Sequence, residues 1–309
     1  ADTAVTGTVA TPGFSTTLWS GTGSAHEITT GIDNTANTLL WTKSRNYGNS
    51  HRLYTPAVDD VMGHVAVLYS NIANNPGSLG SSDVTGFTAN GFTVGDEPNA
   101  NTGMINSANI DYVAWNFRAA PGFFDVVTWT GTNDGTRISH NLGSLPGMVI
   151  VKNLDSYTEN WRVYAKKEMW IDNAQYAYHR LELNESSSTI EDVANIANAD
   201  TFNPQTMGSE ASGTRYVAYL FADNPSKGIK CGNYTGAGDG TTVDCGFKPG
   251  WVLIKQSAGS NNEWRIYDNK RGDNNQLYPN HNYGEDTGNN VVTFTNTGFT
   301  PVSYTHLRA

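Results

Sequence analysis

The 309 residues are enough for two or three domains, and their formal net charge of −10 disfavours binding to nucleic-acid phosphates and to anionic lipid surfaces. The sequence contains no apolar run of about 18 residues, which excludes a membrane-spanning helix of ordinary length. Only 16% of the residues are charged, whereas 32 residues are glycine and 11% are aromatic. This composition is typical of many β-strands joined by tight turns.

Two terminal segments are set apart from the fold prediction. Residues 1–13 lack an initiator Met and the basic-then-apolar order of a signal peptide, so we expect a processed chain or a fragment. Residues 303–309, SYTHLRA, break the local pattern and resemble the translated adaptor tail at the ends of metagenomic gene fragments. We expect this tail to be non-native.

The first predicted β unit covers residues 14–120. A strand and glycine turn, LWSGTGS, lies near its start, and DYVAWNF at 111–117 closes it. Nearly continuous apolar runs such as the closing one are typical of central strands that are buried on both faces. The other landmarks are, in order, LLWTK at 39–43, HRLY at 51–54 and GFTVG at 91–95.

The second predicted unit covers residues 121–223 and contains seven strand-like runs. The sequence NDG at 133–135 predicts a tight hairpin turn, because these residues tolerate a positive φ. A short helix is predicted over 186–199, where Ser and Thr precede an apolar face. The strand-like runs are DVVTWTG, TRISHNL, GMVIVKN, WRVYAKK, YHRLELN, the neighbourhood of TFNPQTM, and RYVAYLFA.

The third predicted unit covers residues 224–302 and repeats the same landmarks. It has a hairpin-like NYTGAGDGT, the strands PGWVLIK at 249–255 and EWRIY at 263–267, and GFTPV at 298–302. No counterpart of the closing strand follows within the sequence. The third unit is therefore predicted to be truncated.

Internal repetition accounts for this order of landmarks. Lys43, Lys152 and Lys255 hold the same place in three related strands, and Trp264 follows Trp161 at the same separation as Lys255 follows Lys152. We predict two complete copies and one truncated copy of a unit of about 105 residues; a propeller blade, the main alternative, has only about 40 to 50. Each copy is predicted to be an antiparallel β-sandwich, jelly-roll or immunoglobulin-like, with minimal helix, and an open barrel is the second choice.

One aromatic group has no counterpart in the other copies. Trp19 and Trp129 match Tyr234, which favours core packing for all three. Trp170, Tyr176 and Tyr178 lie instead in an insertion, KKEMWIDNAQYAYHR. They are candidates for an exposed platform that packs on sugar rings, because rigid rings offer apolar area at low entropy cost. The alternative, a loop that plugs the end of its own sandwich, is the favoured interpretation.

The two cysteines flank a predicted hairpin. If residues 236–240 form its loop, Cys231 and Cys245 face each other across the strands, and a disulfide is feasible at a non-hydrogen-bonded pair. The alternative is two free thiols that fill a partly apolar space. Because no second Cys or His cluster accompanies the pair, we predict no metal site here.

The sequence carries none of the common catalytic motifs for zinc, nucleotide or serine chemistry, and we predict neither a catalytic residue nor a cofactor. A glycosidase needs only two carboxylates, so this class stays open. Asp134 and Asp239 are assigned to turns rather than to calcium loops. The acidic residues on or beside predicted strands are expected to face solvent; they are Glu27, Glu159, Glu182 and Asp268.

The combined motifs resemble a known group of proteins. A Y-T-G-x-G hairpin at Tyr234, the PGWVLIK strand, WRIYD followed by Arg271 and Gly272, a GFT strand and a YVAYLF strand resemble tandem-repeat virion proteins of bacteriophages, especially marine phages. Such proteins are usually described as tail fibre or tail appendage proteins. The resemblance covers residues 14–302. The first copy departs most, because it lacks the Pro of PGWVLIK and the Trp of WRIY.

The resemblance implies a structural role in the virion, with other virion proteins and a host-surface glycan or receptor as partners. The net charge and the lack of a long apolar run predict neither nucleic-acid binding nor membrane insertion. The resemblance also implies a virion or extracellular location and assembly as a homotrimer, although no coiled-coil heptad is present to drive trimerisation. Two alternatives stay open. One is a secreted carbohydrate-binding module or glycan-degrading enzyme, and the other is a bacterial surface adhesin.

Overall fold

Antiparallel pairing dominates the fold of this chain. The computed structural model describes residues 13–78, 81–97, 104–171, 175–188, 191–236, 240, 242–259, 261–287 and 292–301, without the side chains of 167–176. Within these residues, helix is limited to one seven-residue α-helix and one three-residue 3-10 helix. The prediction of an all-β fold of the β-sandwich class is therefore confirmed. No helix in the described part of the chain is long and apolar enough to cross a bilayer.

The first segment, residues 13–120, forms a six-stranded sheet in the order β1-β9-β3-β4-β5-β6 and a three-stranded sheet in the order β2-β8-β7. Its elements are β1 (Phe14–Ser20), β2 (His26–Thr29), β3 (Thr38–Ser44), β4 (Arg52–Tyr54), α1 (Pro56–Met62), β5 (Ala66–Tyr69), β6 (Gly77–Ser78), β7 (Val84–Thr88), β8 (Gly91–Val94) and β9 (Asp111–Arg118). Thr55 caps the N-terminus of α1.

The second segment, residues 121–223, forms a second six-stranded sheet, in the order β10-β17-β12-β13-β14-β15, and a small β11-β16 sheet. Its strands are β10 (Phe124–Thr130), β11 (Ile138–Ser139), β12 (Pro146–Asn153), β13 (Arg162–Ile171), β14 (Gln175–Glu182), β15 (Glu191–Ala194), β16 (Thr201–Phe202) and β17 (Arg215–Ala222). Six of the seven predicted runs match single strands of this segment, and TFNPQTM includes β16.

The third segment, residues 224–301, forms three small sheets in the orders β18-β24-β23, β19-β20 and β21-β22. Its strands are β18 (Val243–Asp244), β19 (Trp251–Ile254), β20 (Arg265–Asp268), β21 (Asn275–Gln276), β22 (Asp286–Thr287), β23 (Val292–Phe294) and β24 (Gly298–Pro301). The 3-10 helix, Pro225–Lys227, precedes them.

The two large sheets share one strand arrangement. In each, the last strand of the segment lies between the first strand and the strand that carries the LLWTK or GMVIVKN motif. The registers match as well. Ala114 pairs with Thr17 and Thr42 in the first sheet, and Ala218 pairs with the corresponding Val127 and Val151 in the second. The number of copies along the chain stays a prediction, since the third segment forms no comparable sheet in the described residues.

Each segment has an outer cluster of apolar side chains between its sheets. In the first segment, Phe92 from the small sheet meets Leu40 and Tyr112 from the large one. In the second, Phe202 from the small sheet meets Leu220 in the same way. Burial of these side chains on one face of each sheet makes the segments sandwich-like.

The opposite faces of the large sheets meet in a single shared core to which all three segments contribute. Indole hydrogen bonds link neighbouring segments there. The Trp161 indole donates to the Tyr69 carbonyl (2.9 Å), and the Trp264 indole donates to the Glu182 carbonyl (2.8 Å). Members of the shared core include Trp41, Trp115 and Phe117 from the first segment, Trp161, Tyr219 and Phe221 from the second, and Trp264, Ile266 and Leu277 from the third.

The three motif lysines point their ammonium groups at main-chain carbonyls. Lys152 is fully buried and donates to the carbonyls of Ala73 and Glu159, both at 2.7 Å. Lys255 donates to Ser186 and Asn262, and Lys43 donates to Ser44, with distances of 2.6 to 3.0 Å. Burial lowers the pKa of Lys152 to about 8, because the charged form loses its hydration.

The predicted helix over 186–199 is wrong. Within that range Glu191–Ala194 form β15, which pairs with β14 and brings Val193 opposite Tyr178. A single helix of about 14 residues is marginal without tertiary support, whereas the edge of β14 offers an immediate main-chain partner. Long-range pairing therefore overrides the local preference.

Replacement of Lys152 by Met tests the burial of its ammonium group. The folded-state pKa is lowered, so between about pH 8 and 10 the unfolded chain binds more protons, and the Lys152 contribution to the free energy of unfolding rises with pH. We expect the change in the free energy of unfolding from pH 7 to pH 10, measured by chemical denaturation, to be about 2 kcal/mol less positive for Lys152→Met than for the parent chain. Lys227→Met, at an exposed position, is the matched control, and an equal pH dependence in the two variants would contradict the burial of Lys152.

Candidate functional site

A surface groove of about 450 Å³ lies in the third segment, between β20 and the connection from β21 to β22. That connection is rich in Pro, Asn and Gly, which favour turns, and its inner end is anchored by Leu277. Leu277 is fully buried and exchanges two main-chain hydrogen bonds with Ile266. The side chains used below that line the groove are Glu263, Arg265, Tyr278, Tyr283, Glu285 and Asp286.

An aromatic group forms one side of the groove. Tyr283 is 57% exposed and stacks on His281, with ring centroids 4.6 Å apart and planes within 7°. Tyr278 meets Tyr283 edge-on at 6.4 Å. Stacking holds the exposed ring in one orientation, which lowers the entropy lost when a ligand packs on it.

Carboxylates form the other side. Asp286 accepts hydrogen bonds from the Tyr278 hydroxyl (2.7 Å) and the Gln276 amide (2.6 Å), and Glu263 pairs with His281 at 3.0 Å. Burial, followed by the hydrogen bond to Asp286, raises the pKa of Tyr278, so its hydroxyl stays protonated and donates. Each carboxylate keeps lone pairs that are able to accept further hydrogen bonds.

The floor of the groove is joined to the shared core by charged side chains. Glu285 accepts from Arg45 of the first segment at 2.8 and 3.1 Å and from Arg271 at 3.3 Å. Arg271 also pairs with Asp268, which accepts a hydrogen bond from the Trp115 indole at 2.9 Å. These bonds fix the groove relative to the large sheet of the first segment.

The predicted carboxylates are distributed differently from our expectation. Asp268 was expected to face solvent, but it is fully buried, because its charge is matched by Arg271. Glu27 is exposed as expected, whereas Glu159 and Glu182 are only half-buried and pair with neighbouring arginines. None of Glu27, Glu159, Glu182 and Asp268 lines the groove.

The groove has the side chains for recognition of a polyhydroxylated ligand. Exposed aromatic faces suit the apolar faces of sugar rings, while carboxylates and Arg265 supply acceptors and donors for hydroxyl groups. Asp59, a carboxyl whose pKa burial raises to about 6, is not a lining residue. Within the described residues no group of three His, Cys, Asp or Glu side chains is placed to hold a metal ion. Asp134 accepts from Thr132 and Thr136 in a turn, and Asp239 lies outside the described residues.

The predicted aromatic platform is wrong for Tyr178. This residue is fully buried in the outer cluster of the second segment, and its hydroxyl donates to the Pro146 carbonyl at 2.8 Å. The side chains of Trp170 and Tyr176 lie outside the described residues, and the strand register places the two residues opposite each other near the end of the β13–β14 hairpin. Their role in ligand binding stays a prediction.

The predicted disulfide does not form. Both thiols are free: Cys231 lies outside any strand, and β18, beside Cys245, pairs with β24. Cys231 donates to the Ala222 carbonyl at 3.4 Å, and Cys245 packs in the outer cluster of the third segment. The alternative of two free thiols describes the structure.

Sequence reasoning missed the groove although a signal was present. The stretch YPNHNYGED, residues 278–286, combines two tyrosines and two carboxylates in a turn-rich connection. Such a composition is typical of binding loops rather than of packed strands. The connection contains no recurring motif, so its composition is the one signal of the groove in the sequence.

The chain matches one protein-family model, a domain of unknown function, DUF7483, over residues 10–306. Because the match covers nearly the whole chain, the protein belongs to the DUF7483 family. Searches of curated proteins and of solved structures found no match.

Thiol labelling tests the burial of the cysteines. Desolvation raises the pKa of Cys231 to about 12 and also raises that of Cys245, so both thiols are protonated near neutral pH and react slowly. We expect iodoacetamide near pH 8 to label Cys231 at least about 100-fold more slowly in the native chain than in guanidinium chloride. Mass spectrometry of the variants Cys231→Ser and Cys245→Ser assigns each labelling reaction to one cysteine. A native mass lower by two hydrogens would reveal a disulfide and contradict this arrangement.

Proposed function

We propose that this DUF7483 family member is a structural component of a phage virion, a segment of a tail fibre or tail appendage that binds host-surface glycans in the groove. The observation that carries the binding function is the exposed, stacked Tyr283 beside Tyr278 and three carboxylates. The virion assignment is supported by the motif resemblance and by the sandwich-like fold.

The aromatic side chains supply the apolar part of the proposed recognition. A pyranose ring has a face of C–H groups that packs on a phenol ring, and burial of that face is favourable by the hydrophobic effect. Tyr283 presents such a ring, and stacking on His281 holds it in place before the ligand arrives. Little ordering is then required on binding.

The charges of the groove select the class of glycan. Glu285 is paired with Arg45 and Arg271, which leaves Glu263, Asp286 and Arg265 to meet a ligand. Two carboxylates and one guanidinium, on a chain with a formal net charge of −10, disfavour sialic and uronic acids. We therefore propose neutral or amino sugars as ligands.

The scaffold suits an appendage that is exposed to solvent. Indole and ammonium donors join neighbouring segments through carbonyl acceptors at the shared core, so the segments stabilise one another. Because the core does not depend on the loops, the sequence and length of the loops between strands vary without loss of the core. Assembly of such chains into a homotrimer remains part of this proposal.

A secreted carbohydrate-binding module is the second candidate, because the same groove would serve it equally well. Neighbouring genes for tail assembly in the intact locus would support the virion assignment, and a cluster of polysaccharide-degrading genes would support the secreted one. A glycan-degrading enzyme would release reducing sugar from the bound glycan, and substitution of a single groove carboxylate would abolish that release.

Replacement of Tyr283 by Ala tests the groove. We expect a glycan array to identify neutral or amino-sugar ligands, and calorimetry with the best ligand to show about tenfold weaker binding for Tyr283→Ala, or about 1.4 kcal/mol. The melting temperature should be nearly unchanged, because this side chain is 57% exposed. Tyr157→Ala is the matched control, since Tyr157 is 68% exposed and does not line the groove.

Two outcomes would contradict the proposed site. Equal affinity of the two tyrosine variants would remove the groove from glycan binding. A loss of binding in Trp170→Ala with full binding in Tyr283→Ala would move the site to the β13–β14 hairpin, as the sequence predicted. Absence of any glycan ligand for the parent chain would leave the virion assignment to be tested by the neighbouring genes alone.

A further inference from the structure

The last strand of each of the first two segments is an inner strand of its sheet and pairs on both edges. β9 pairs with β1 on one edge and with β3 on the other, and β17 pairs with β10 and β12 in the same way. The side chains of β17 alternate between two environments. Tyr216, Ala218 and Leu220 enter the outer cluster, while Val217, Tyr219 and Phe221 enter the shared core.

The third segment contains counterparts of both flanking elements, but no strand lies between them in the part of the chain that the structure describes. β19 carries the same motif as β12 and pairs with β20 on one edge, and among the described residues no strand pairs with its other edge. Residues 229–235 correspond in sequence to β10, yet they form no strand. In the first two segments the last strand joins the corresponding elements, because β9 lies between β1 and β3, and β17 lies between β10 and β12.

Aromatic side chains at matching positions of the three segments also differ in whether a ring from the last strand stacks on them. Trp19 stacks on Tyr112 and Trp129 stacks on Tyr216, each with ring centroids 5.2 Å apart. Tyr234 holds the corresponding place, where it is 38% exposed and, among the described residues, meets one ring, that of Phe299, edge-on. Its stacking partner in the other segments comes from the last strand.

Close contacts of glycine agree with the aromatic contacts. A Cβ atom added to Gly21 would lie 2.1 Å from the Ser107 carbonyl oxygen, and one added to Gly131 would lie 2.3 Å from that of Ala211. Gly236, the corresponding glycine, has no described atom within 4 Å of such a position. In addition, the Trp251 indole nitrogen of β19 is buried without an acceptor among the described residues. As far as the described residues extend, the third segment is therefore open where the others are closed.

We propose that the space between residues 229–236 and β19, named here the strand slot, binds an extended polypeptide segment in antiparallel orientation to β19. The occupant is a segment from outside residues 1–309 with the pattern of β9 and β17, in which two residues separate Tyr-Val-Ala from a following Phe. Its main chain bonds to both open edges, as in other complexes formed by strand addition. Its first Tyr stacks on Tyr234, and its Phe joins Phe117 in the shared core.

A second copy of residues 13–301 is a poor occupant. Its own strands of this pattern, β9 and β17, are each bonded on both edges and buried on both faces. Release of either strand would expose the shared core and both neighbouring strands to water, at the expense of the donor's own fold. The slot therefore requires a strand that is not already part of a sheet.

The test uses the full chain and a fluorescent peptide with the sequence of residues 214–222, extended by lysines for solubility. We expect saturable binding, a rise in melting temperature, and slower amide hydrogen exchange in residues 251–254 and 231–235. A peptide of scrambled order should bind at least about tenfold more weakly, since composition alone does not provide the alternating faces. Equal binding of the scrambled peptide, or protection confined to other strands, would overturn the proposal.

Two exposed apolar residues of similar exposure provide a matched pair of variants. Tyr234→Ala removes the stacking partner of the incoming Tyr and should weaken the peptide about tenfold, whereas Leu18→Ala, on the already paired β1, should leave its affinity unchanged. Tyr234 is 38% exposed and Leu18 is 39% exposed, so neither change should unfold the chain. Sedimentation completes the test, because a dimer that the peptide dissociates would identify a second copy as the occupant and overturn the assignment to an outside segment.

Discussion

Burial of one face of every large sheet in a shared core is the constraint on which the structure depends. Indole rings enter this core, and an indole N–H buried there needs an acceptor, since an unpaired polar group costs roughly 1 to 3 kcal/mol. Trp161 and Trp264 find that acceptor on the main chain of the preceding segment. Apolar burial and hydrogen bonding therefore require the same neighbour in the same place, and the segments are held in one arrangement.

The same requirement explains the buried charges. Asp268, Arg271 and Glu285 form a chain of ion pairs that starts at the Trp115 indole and ends at Arg45, at the surface. Buried ion pairs contribute little net stability compared with apolar packing, but removal of one partner is costly. This chain therefore sets geometry more than stability. Because Glu285 is its last buried member, the position of the groove follows from the packing of the core.

The sequence predicted best those elements whose burial is visible locally. β12 and β17 are continuous apolar runs, and such runs have few alternatives to a central strand. The local sequence of β15 favours a helix, because pairing with β14 depends on residues outside any local window. The sequence also does not show that Tyr178 is buried, since alternation along a strand does not tell which face is covered. The groove depends on Arg45 and Glu285, which are far apart in the chain and meet only in the folded structure.

The junction between the third and first segments differs chemically from the other two. Where Trp161 and Trp264 stand at those junctions, the first segment has His51, whose buried ring lies against the main chain of Tyr278. Burial lowers the pKa of His51 well below its usual value, so the ring is neutral, and its Nδ1 accepts from the Trp41 indole at 3.0 Å. A smaller ring buries less apolar surface, and at this junction the Arg45–Glu285 pair supplies polar contacts instead. The groove lies beside this junction, because Glu285, which lines the groove, is also the partner of Arg45 from the first segment.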